Sequence, residues 1–447
     1  MTLATLSVAA LVLALIVSCV SPINIGVLAL VLAWLVGVYA GGMRVEQVLA
    51  GFPVPLFVTL VGITLLFAQA QTNGTLDGIA RRAVRLCRGN AGVIPMMVFV
   101  LTAALSSVGP GNIAATALMA PLGMAAAGRY GIPPFLMAIM IANGASAGSV
   151  SPIAPTGIIV NGIVARIGLP DARWSIYGNN LLAHAAVAFG GYLLLGGWRL
   201  LRGARTASAS APRATLDSMR VPAYAGATSV VLPETSATAA SQPDVATPFD
   251  SKQWLTLVVI AGLIVGAIGF NVNVGMAALG GALILTLARA ANETAAMKAV
   301  PWSVIVMVTG VTVLVSLLEK TGGMDLFTAF LGRLSTPATV TAVTAFFTGI
   351  VSIYSSTTGV VLPAMLPTVP GIVQHIGGGN AMAIVWSMVV GGHLVDVSPL
   401  STLGALCLAA APPGTDTRRL FNQLMAWGVS MTIVAAVVCW MAFGLLE

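Results

Sequence analysis

Long apolar segments separated by short polar ones run along almost the whole chain. The longer segments have about 20 residues, the length that an α-helix needs to cross a hydrocarbon core of about 30 Å. They predict a first set of membrane spans at 5–20, 23–42, 54–72 and 178–200. They predict a second set at 253–270, 273–291, 302–319 and 421–446. The pattern therefore indicates an all-α, polytopic membrane protein.

Four further apolar segments do not read as simple crossings. Two of them, 92–127 and 338–374, consist of a pair of arms of about 15 residues around a polar tip, which predicts re-entrant hairpins. The other two, 133–166 and 380–411, are interrupted by Ser, Thr, Gly and Pro, which predicts spans with a broken helix. Irregular backbone at membrane depth is tolerated only where it is buried in protein or lines a cavity. These segments are therefore candidates for a functional site.

The second part of the chain repeats the first. Four landmarks recur at an offset of 246 or 247 residues: Ser106 and Ser352, Pro121 and Pro367, Val150-Ser151-Pro152 and Val397-Ser398-Pro399, and Gly157 and Gly404. The recurrence predicts a first repeat over 1–201 and a second over 253–447, joined by a polar linker, 202–252. Each predicted repeat has five crossings plus one re-entrant hairpin. Since five is odd, we expect the second repeat to be inverted relative to the first.

Composition and charge agree with a membrane protein. Of the 447 residues, 58% are hydrophobic and only 7% are charged. The net charge of +7 does not indicate a nucleic-acid partner, because the basic residues lie at the ends of spans. With the predicted topology, 15 of the 20 Lys and Arg residues fall on one side. This predicts a bacterial inner-membrane protein with both termini periplasmic and the linker cytoplasmic.

The polar residues at the tips and breaks form two matched clusters. A tip followed by a helix exposes backbone N–H groups that attract an anion, while carbonyl and hydroxyl oxygens at a break hold a hard cation. The predicted substrate-binding residues are Asn112, Ile113, Ser151, Pro152 and Thr156 in the first repeat and Thr358, Gly359, Ser398, Pro399 and Thr402 in the second. The alternative is that such small residues only let helices pack closely.

Asp396 is the one acidic residue expected at membrane depth, and His393 lies one helical turn before it. An ionisable group there indicates a functional site, so both residues are candidates for proton or cation coupling. The alternative is a His–Asp pair that satisfies itself and braces the break. The sequence shows no phosphate loop, nucleophile–base pair or metal-ligand motif, so we expect neither an enzyme nor ATP-driven transport by this chain alone.

The tips and breaks resemble those of the ion transporter superfamily, especially the divalent anion:sodium symporters and the MatC malonate/dicarboxylate carriers. That family marks each tip with Ser-Asn-Thr, with nine residues from the Asn to a Pro. Asn112 and Pro121 keep this spacing, as do Thr358 and Pro367, although Asn112 alone of the six triplet residues is kept. The resemblance implies an elevator-type carrier, usually a homodimer. The predicted sodium ligands are Ser107, Gly111, Asn112, Ser149, Ser356, Thr358 and Asp396.

These patterns predict a carrier that imports a small carboxylate, such as malonate or succinate, by symport with Na⁺ or H⁺. Its expected partners are the anion, the lipid bilayer and a second copy of the chain, and no bound cofactor other than the coupling ion is expected. A Na⁺/H⁺ antiporter of the same superfamily is one alternative. The membrane subunit of a tripartite carboxylate transporter is another.

Overall fold

The computed structural model describes residues 2–21, 23–86, 90–202, 248–270 and 272–444. Over these ranges the regular secondary structure is helical, without a strand. Six helical segments are long and apolar enough to cross a membrane, and several shorter apolar helices accompany them. The prediction of an all-α, multi-pass membrane protein is confirmed. Residues 203–247, most of the predicted linker, lie outside the described residues.

The first half begins with four helices connected by short turns. They are α1 (Leu3–Val20), α2 (Ile25–Trp34, continued by a π-helical segment Leu35–Ala40), α3 (Val45–Leu49) and α4 (Val54–Thr72). The remaining helices of this half are α5 (Thr75–Leu86), α6 (Val93–Val108), α7 (Gly111–Tyr130), α8 (Pro134–Ser149), α9 (Pro155–Arg166), α10 (Arg173–Leu194) and α11 (Gly197–Arg202).

The second half follows the same order. Its first helices are α12 (Ser251–Gly269), α13 (Val274–Leu287), α14 (Glu293–Ala299), α15 (Trp302–Thr321) and α16 (Gly323–Arg333). Then come α17 (Val340–Tyr354), a π-helical turn Thr357–Val361, α18 (Leu362–Met365), a 3₁₀ turn Leu366–Thr368 and α19 (Val369–Ile376). The last elements are α20 (Ala381–Leu394), a 3₁₀ turn Val395–Val397, α21 (Thr402–Ala409) and α22 (Thr417–Cys439), which a π-helical turn, Trp440–Gly444, continues.

The two halves match element by element within the described residues. From α1 with α12 to α10 with α22, the starts of matching helical elements are 244 to 249 residues apart. The residues that cap the starts and ends of matching helices recur as well. Asn24 and Asn273 cap α2 and α13 through their side chains, and Gly131 and Gly377 end α7 and α19 in the left-handed conformation.

The halves pack against each other through two reciprocal glycine contacts. Gly26 of α2 lies against Gly310 of α15, and Gly275 of α13 lies against Gly62 of α4. A Cβ at any of these positions would meet backbone atoms of the facing helix. Small residues bring helix backbones close where lipid provides no hydrophobic driving force between helices. Because α13 matches α2 and α15 matches α4, the two contacts are equivalent.

The first predicted hairpin consists of α6 and α7, which are joined at Gly109 and Pro110. In the second, the return arm is irregular, with π and 3₁₀ turns between α17 and α19. Three prolines in that arm, Pro363, Pro367 and Pro370, each remove a backbone donor, whereas α7 contains only Pro121. The second hairpin therefore lacks the regular helix that the first one has.

Both predicted broken spans are interrupted. The first is helical through Ser149, and its break is confined to 150–154, so Asn143 and Ser146 lie inside α8. The second changes to a 3₁₀ turn at Val395 and resumes as α21. At each break a glycine allows the chain to fold back closely. A Cβ at Gly157 would collide with the Ser151 carbonyl, and one at Gly404 with the Ser398 carbonyl.

Candidate functional site

The N-termini of α7 and α9 lie side by side at the centre of the candidate site. Gly111 begins α7 at φ +80°, a left-handed conformation that favours glycine. A Cβ at Gly111 would lie 3.4 Å from Cδ of Pro155, the first residue of α9. The tip of the first hairpin is thereby placed against the start of the helix that follows the first break.

At neither helix start does the N-cap residue supply a side-chain cap, although in α7 one first-turn N–H is taken by the side chain of Asn112. The residues at the two N-cap positions, Pro110 and Ala154, accept no side-chain hydrogen bond from the helix. The amide Oδ1 of Asn112 accepts from the N–H of Ile113 at 3.0 Å. Helices expose unpaired N–H groups and a partial positive charge at their N-termini. Two such termini in contact favour a negatively charged ligand.

A hydroxyl pair connects this site to the other half. Thr156 Oγ1 of α9 and Thr358 Oγ1 of the second tip lie 3.1 Å apart. The contact continues along α9, which also packs against α18 and the 3₁₀ turn Leu366–Thr368. The structure therefore brings the first break and the second tip together.

The amide of Asn112 and the hydroxyl of Thr156 lie in buried residues of the site, whereas its rim is partly exposed. Asn112 is 9% exposed and Thr156 is 2% exposed, while Thr358 is half-buried. Polar groups buried in this way must be paired or must bind a ligand to offset the lost hydration.

The second tip is held by hydroxyl groups. Ser356 Oγ accepts from the N–H of Gly359 at 3.0 Å, which caps the π-helical turn. Ser355 Oγ lies 2.6 Å from Ser18 Oγ, near the end of α1. Of these residues, Ser356 and Gly359 were predicted from the sequence, whereas Ser18 was not. An isolated serine near the end of an apolar span carries no signal that it contacts a residue more than 300 positions away.

Asp396 is buried and bonded to the second tip. Its Oδ1 accepts from Thr357 Oγ1 at 2.8 Å, and its backbone carbonyl accepts from Ser401 Oγ. His393 instead has its Nδ1 2.8 Å from the carbonyl oxygen of Val389. Among the hydrogen bonds of the described residues, none joins His393 to Asp396. The side chain of Asp396 therefore connects the second break to the tip of the second hairpin, and His393 takes no part in this contact.

Two predicted sodium ligands of the first half lie beside the break. Ser107 Oγ donates to the carbonyl of Ala103 at 2.7 Å and lies 2.9 Å from the hydroxyl of Tyr177. Ser149 Oγ donates to the carbonyl of Ser146 at 2.8 Å. The sequence did not indicate Tyr177, because an aromatic residue near a span end reads as part of an interfacial belt.

Three predicted substrate ligands of the second half are placed differently. Ser398 packs against Gly428 of α22, and its Oγ accepts from the N–H of Leu400 at 3.3 Å. Ser401, rather than Thr402, caps α21. Across the described ranges, no hydrogen bond joins Ser398 or Thr402 to either tip. Pro399 is buried in the break without contributing a donor.

The chemistry of the donors fits a hard cation better than a transition metal. The described residues contain no group of three or more His, Cys, Asp or Glu side chains that could hold a metal. The predicted ligands near the tips instead offer hydroxyl, amide and carboxylate oxygens, which suit hard cations.

Comparison with known proteins gives the family signal. Residues 1–149 match the family model for the N-terminus of the dicarboxylate carrier protein MatC. The matched region runs from the start of the chain through α8 and includes the first tip. The resemblance to the MatC carriers is thus confirmed over the first third of the chain.

Two solved transporters share the fold. The YdaH transporter of Alcanivorax borkumensis is 18% identical, with 88% of this chain and 87% of that chain covered and a TM-score of 0.55. MtrF of Neisseria gonorrhoeae, described as illuminating a class of antimetabolite efflux pumps, is 12% identical. That match covers 91% of this chain and 83% of MtrF, also with a TM-score of 0.55.

A curated relative matches a shorter stretch. The potassium-binding subunit of the potassium-transporting ATPase of Nocardia farcinica is 32% identical over 209 residues, which are 44% of this chain. The chain spans about a third of the length of that relative, 36%. All of these matches are to membrane transport proteins, in agreement with the expectation that the chain is not an enzyme. The protein has the fold of a membrane transporter, and its N-terminal third matches the MatC dicarboxylate carriers.

Proposed function

We propose that the protein imports a small dicarboxylate of three or four carbons by symport with Na⁺ or H⁺. The observation that carries this proposal is the contact between the N-termini of α7 and α9 at Gly111 and Pro155, beside the Thr156–Thr358 pair. Two helix N-termini can hold the two carboxylates of such an anion with backbone N–H groups. The threonine hydroxyls then hydrogen-bond the carboxylate oxygens.

The same geometry supports an anion that binds together with a cation. Helix N-termini carry only partial charges, so a co-bound cation would balance the remaining charge of a dianion. The MatC match over residues 1–149 supports a dicarboxylate as that anion. Ser107, Asn112, Ser356 and Asp396 supply oxygens around the two tips for the cation.

The proposed transport cycle is of the elevator type, with two inverted repeats. The hairpins and broken spans form the moving part, because α6 packs closely on α8 and α17 on α20. Gly144 of α8 lies against Phe99, and Gly391 of α20 lies in the matching way against Ala345. The scaffold is the group of α2, α4, α13 and α15, joined by the reciprocal glycine contacts. We expect a homodimer, as in similar carriers, in which the scaffold stays fixed.

The direct test is uptake by purified protein in liposomes. We expect ¹⁴C-malonate or ¹⁴C-succinate to accumulate when an inward Na⁺ or H⁺ gradient is imposed, and excess unlabelled dicarboxylate to compete. Empty liposomes and a monocarboxylate such as lactate are the controls. Na⁺/H⁺ exchange in the absence of any carboxylate would replace the proposal with the antiporter. Uptake that occurs only with an added periplasmic binding protein would indicate the tripartite subunit.

The proposed orientation has a separate test. With both termini periplasmic, a cysteine placed at residue 2 reacts with a membrane-impermeant maleimide in intact cells, whereas one placed in the linker reacts only after permeabilisation. The reverse labelling pattern would place both termini in the cytoplasm and the linker in the periplasm.

A further inference from the structure

A second polar cluster lies buried between α8, α10, α17 and α20. It is formed by Asn143 and Ser146 of α8, Asn180 and His184 of α10, Ser352 of α17 and His393 of α20, all fully buried. We call this group the histidine cluster. The clustered residues on α8 and α10 bond to each other: Asn180 Nδ2 donates to the carbonyl of Ser146 at 2.8 Å, and His184 Nδ1 lies 3.0 Å from Asn143 Oδ1.

The hydrogen bonds assign the tautomer of both histidines. Asn143 donates through Nδ2 to the carbonyl of Ile139, which leaves its Oδ1 as an acceptor. His184 must therefore donate from Nδ1. His393 must also donate from Nδ1, since its partner is the carbonyl oxygen of Val389. In the neutral state, each ring then has a bare Nε2 that only accepts.

The two imidazoles belong to opposite halves and lie near each other. Helices α10 and α20 pack together, and Ala183 and Val187 of α10 join the same core as Val390 and Leu394 of α20. These residues flank His184 and His393 in sequence. The packing of the two helices therefore places both imidazoles at the same helix–helix interface. The packing of α10 on α20 therefore joins the two halves of the chain.

Several atoms of this cluster have no protein partner. Among the described protein atoms, nothing pairs with Nε2 of His184, Nε2 of His393, Oδ1 of Asn180, Oγ of Ser146 or Oγ of Ser352. Leaving a buried polar atom without a partner is costly, so such atoms rarely occur together without a ligand or bound water. Three of the five are acceptors only, and two are hydroxyls able to donate. Such a set needs a partner that donates to the acceptors and accepts from the hydroxyls, as water does.

We propose that the histidine cluster is a hydrated proton-binding site, in which His184 and His393 share one proton through buried water. The water donates to the two Nε2 atoms when the rings are neutral. An added proton converts one ring to imidazolium, whose Nε2–H then donates to the water. The only covalent change is the N–H bond formed at that Nε2, with a proton that comes from the aqueous phase and returns to it; no bond between heavy atoms forms or breaks. This deepens the proposed function by naming the site of H⁺ coupling, and its transport arm rests on that function.

The elements packed against α20 carry one carboxyl group. Asp396 is the only carboxylate on the elements packed against α20, and α8 has no titratable side chain. The arginines of neighbouring elements, Arg166, Arg173, Arg199, Arg418 and Arg419, lie at or near helix ends. The other titratable groups are Tyr177 and Tyr192 of α10, Tyr354 at the end of α17, His375 in α19 and Cys439 of α22. Cys439 approaches the carbonyl of Ser387, earlier along α20.

The chain suits a direct spectroscopic test because it contains only three histidines. The full-length protein is labelled with ¹⁵N-histidine, reconstituted in lipid and studied by solid-state NMR over the pH range in which it stays folded. At high pH we expect two of the three rings to show a protonated Nδ1 and a bare Nε2. On acidification these two rings should change together, with a total uptake of one proton. His375 is exposed, and His375→Asn is the matched control.

Substitution then separates a shared proton from two independent ones. In His393→Gln, we expect the titration of His184 to move by at least one pH unit, whereas His375→Asn leaves it unchanged. Rings that remain neutral throughout, or a His184 titration that is the same in His393→Gln, would overturn the proposal. A variant that elutes aggregated is replaced by His184→Asn, with His393 as the reporter.

The transport arm uses the same variants. The stimulation of dicarboxylate uptake by an inward H⁺ gradient should fall at least tenfold in His184→Asn and in His393→Gln. It should be unchanged in His375→Asn. H⁺-stimulated uptake that survives in both variants would overturn the coupling role. If the wild-type protein takes up no dicarboxylate, the proposed function fails, and the NMR titration alone decides the proton site.

Discussion

The hydroxyl oxygens of Thr156 and Thr358 lie 3.1 Å apart, although the residues are 202 positions apart in the chain. Thr156 is in the first turn of the helix that follows the first break, and Thr358 is at the tip of the second hairpin. The pair therefore closes the site between the two halves. It also provides a contact that must break, or must accept a ligand, when substrate enters.

The first prediction concerns this pair. Thr156→Val and Thr358→Val keep the side-chain shape but remove one hydroxyl each. A net hydrogen bond contributes about 1 kcal/mol, so each substitution should reduce initial uptake by about fivefold. Because the two hydroxyls act together, the double variant should lose little more than either single one. Losses that simply multiply would show that the hydroxyls act independently.

The second prediction concerns the first tip. Asn112→Ala removes the amide that accepts from the N–H of Ile113 at the start of α7. We expect uptake to fall by more than tenfold while the protein elutes as a folded species. Asn179→Ala, at a half-buried position of α10, is the matched control and should transport normally. Normal uptake by Asn112→Ala would remove the first tip from the site.

The third prediction concerns Asp396. Asp396→Asn keeps an acceptor for the hydroxyl of Thr357, so the bond to the second tip and the fold should survive. Without an ionisable group, however, the dependence of uptake on pH or on Na⁺ concentration should change. Uptake is measured across a series of pH values and Na⁺ concentrations for both proteins. Identical dependences would assign Asp396 a bracing role only.

The fourth prediction concerns the tight folding of the first break. Gly157→Ala places a Cβ against the carbonyl of Ser151, which should destabilise the protein by about 1–3 kcal/mol. Gly162→Ala, on the same helix, meets no atom within 4 Å and should be neutral or slightly stabilising. Thermal unfolding in detergent measures the difference. Equal melting temperatures for the two variants would mean that the break relaxes easily.

Much of the helical pattern was predictable from local sequence. Apolar length alone locates spans such as α1 and α4, because a membrane helix satisfies its backbone within itself. The breaks were also predictable, since Pro152 and Pro399 each remove a backbone donor. The bounds were less accurate. The predicted span 178–200 corresponds to α10, which begins at Arg173, and to a separate α11, because Gly196 at φ +87° ends the longer helix.

Site residues were predictable to the extent that they belong to a break or a tip. Asn112, Thr156 and Thr358 stand out because polar residues are costly in apolar segments. Their partners do not stand out. Tyr177, Ser18 and His184 lie in helices whose local pattern is that of an ordinary span, and His184 reads as a packed or interfacial histidine. Only the approach of helices distant in sequence reveals Ser107, Ser355 and Asn143 as their neighbours.

The sequence by itself therefore determined the all-α membrane class, the order of the helices and the places where they break. These features depend on apolar length and on local backbone chemistry, which neighbouring residues carry. The tertiary structure alone decided which break meets which tip, and that the helices bearing His184 and His393 pack together across the two halves. Those relationships depend on how helices distant in sequence pack together. Glycine contacts such as that of Gly26 with Gly310 allow two backbones to approach closely and so help to set that packing.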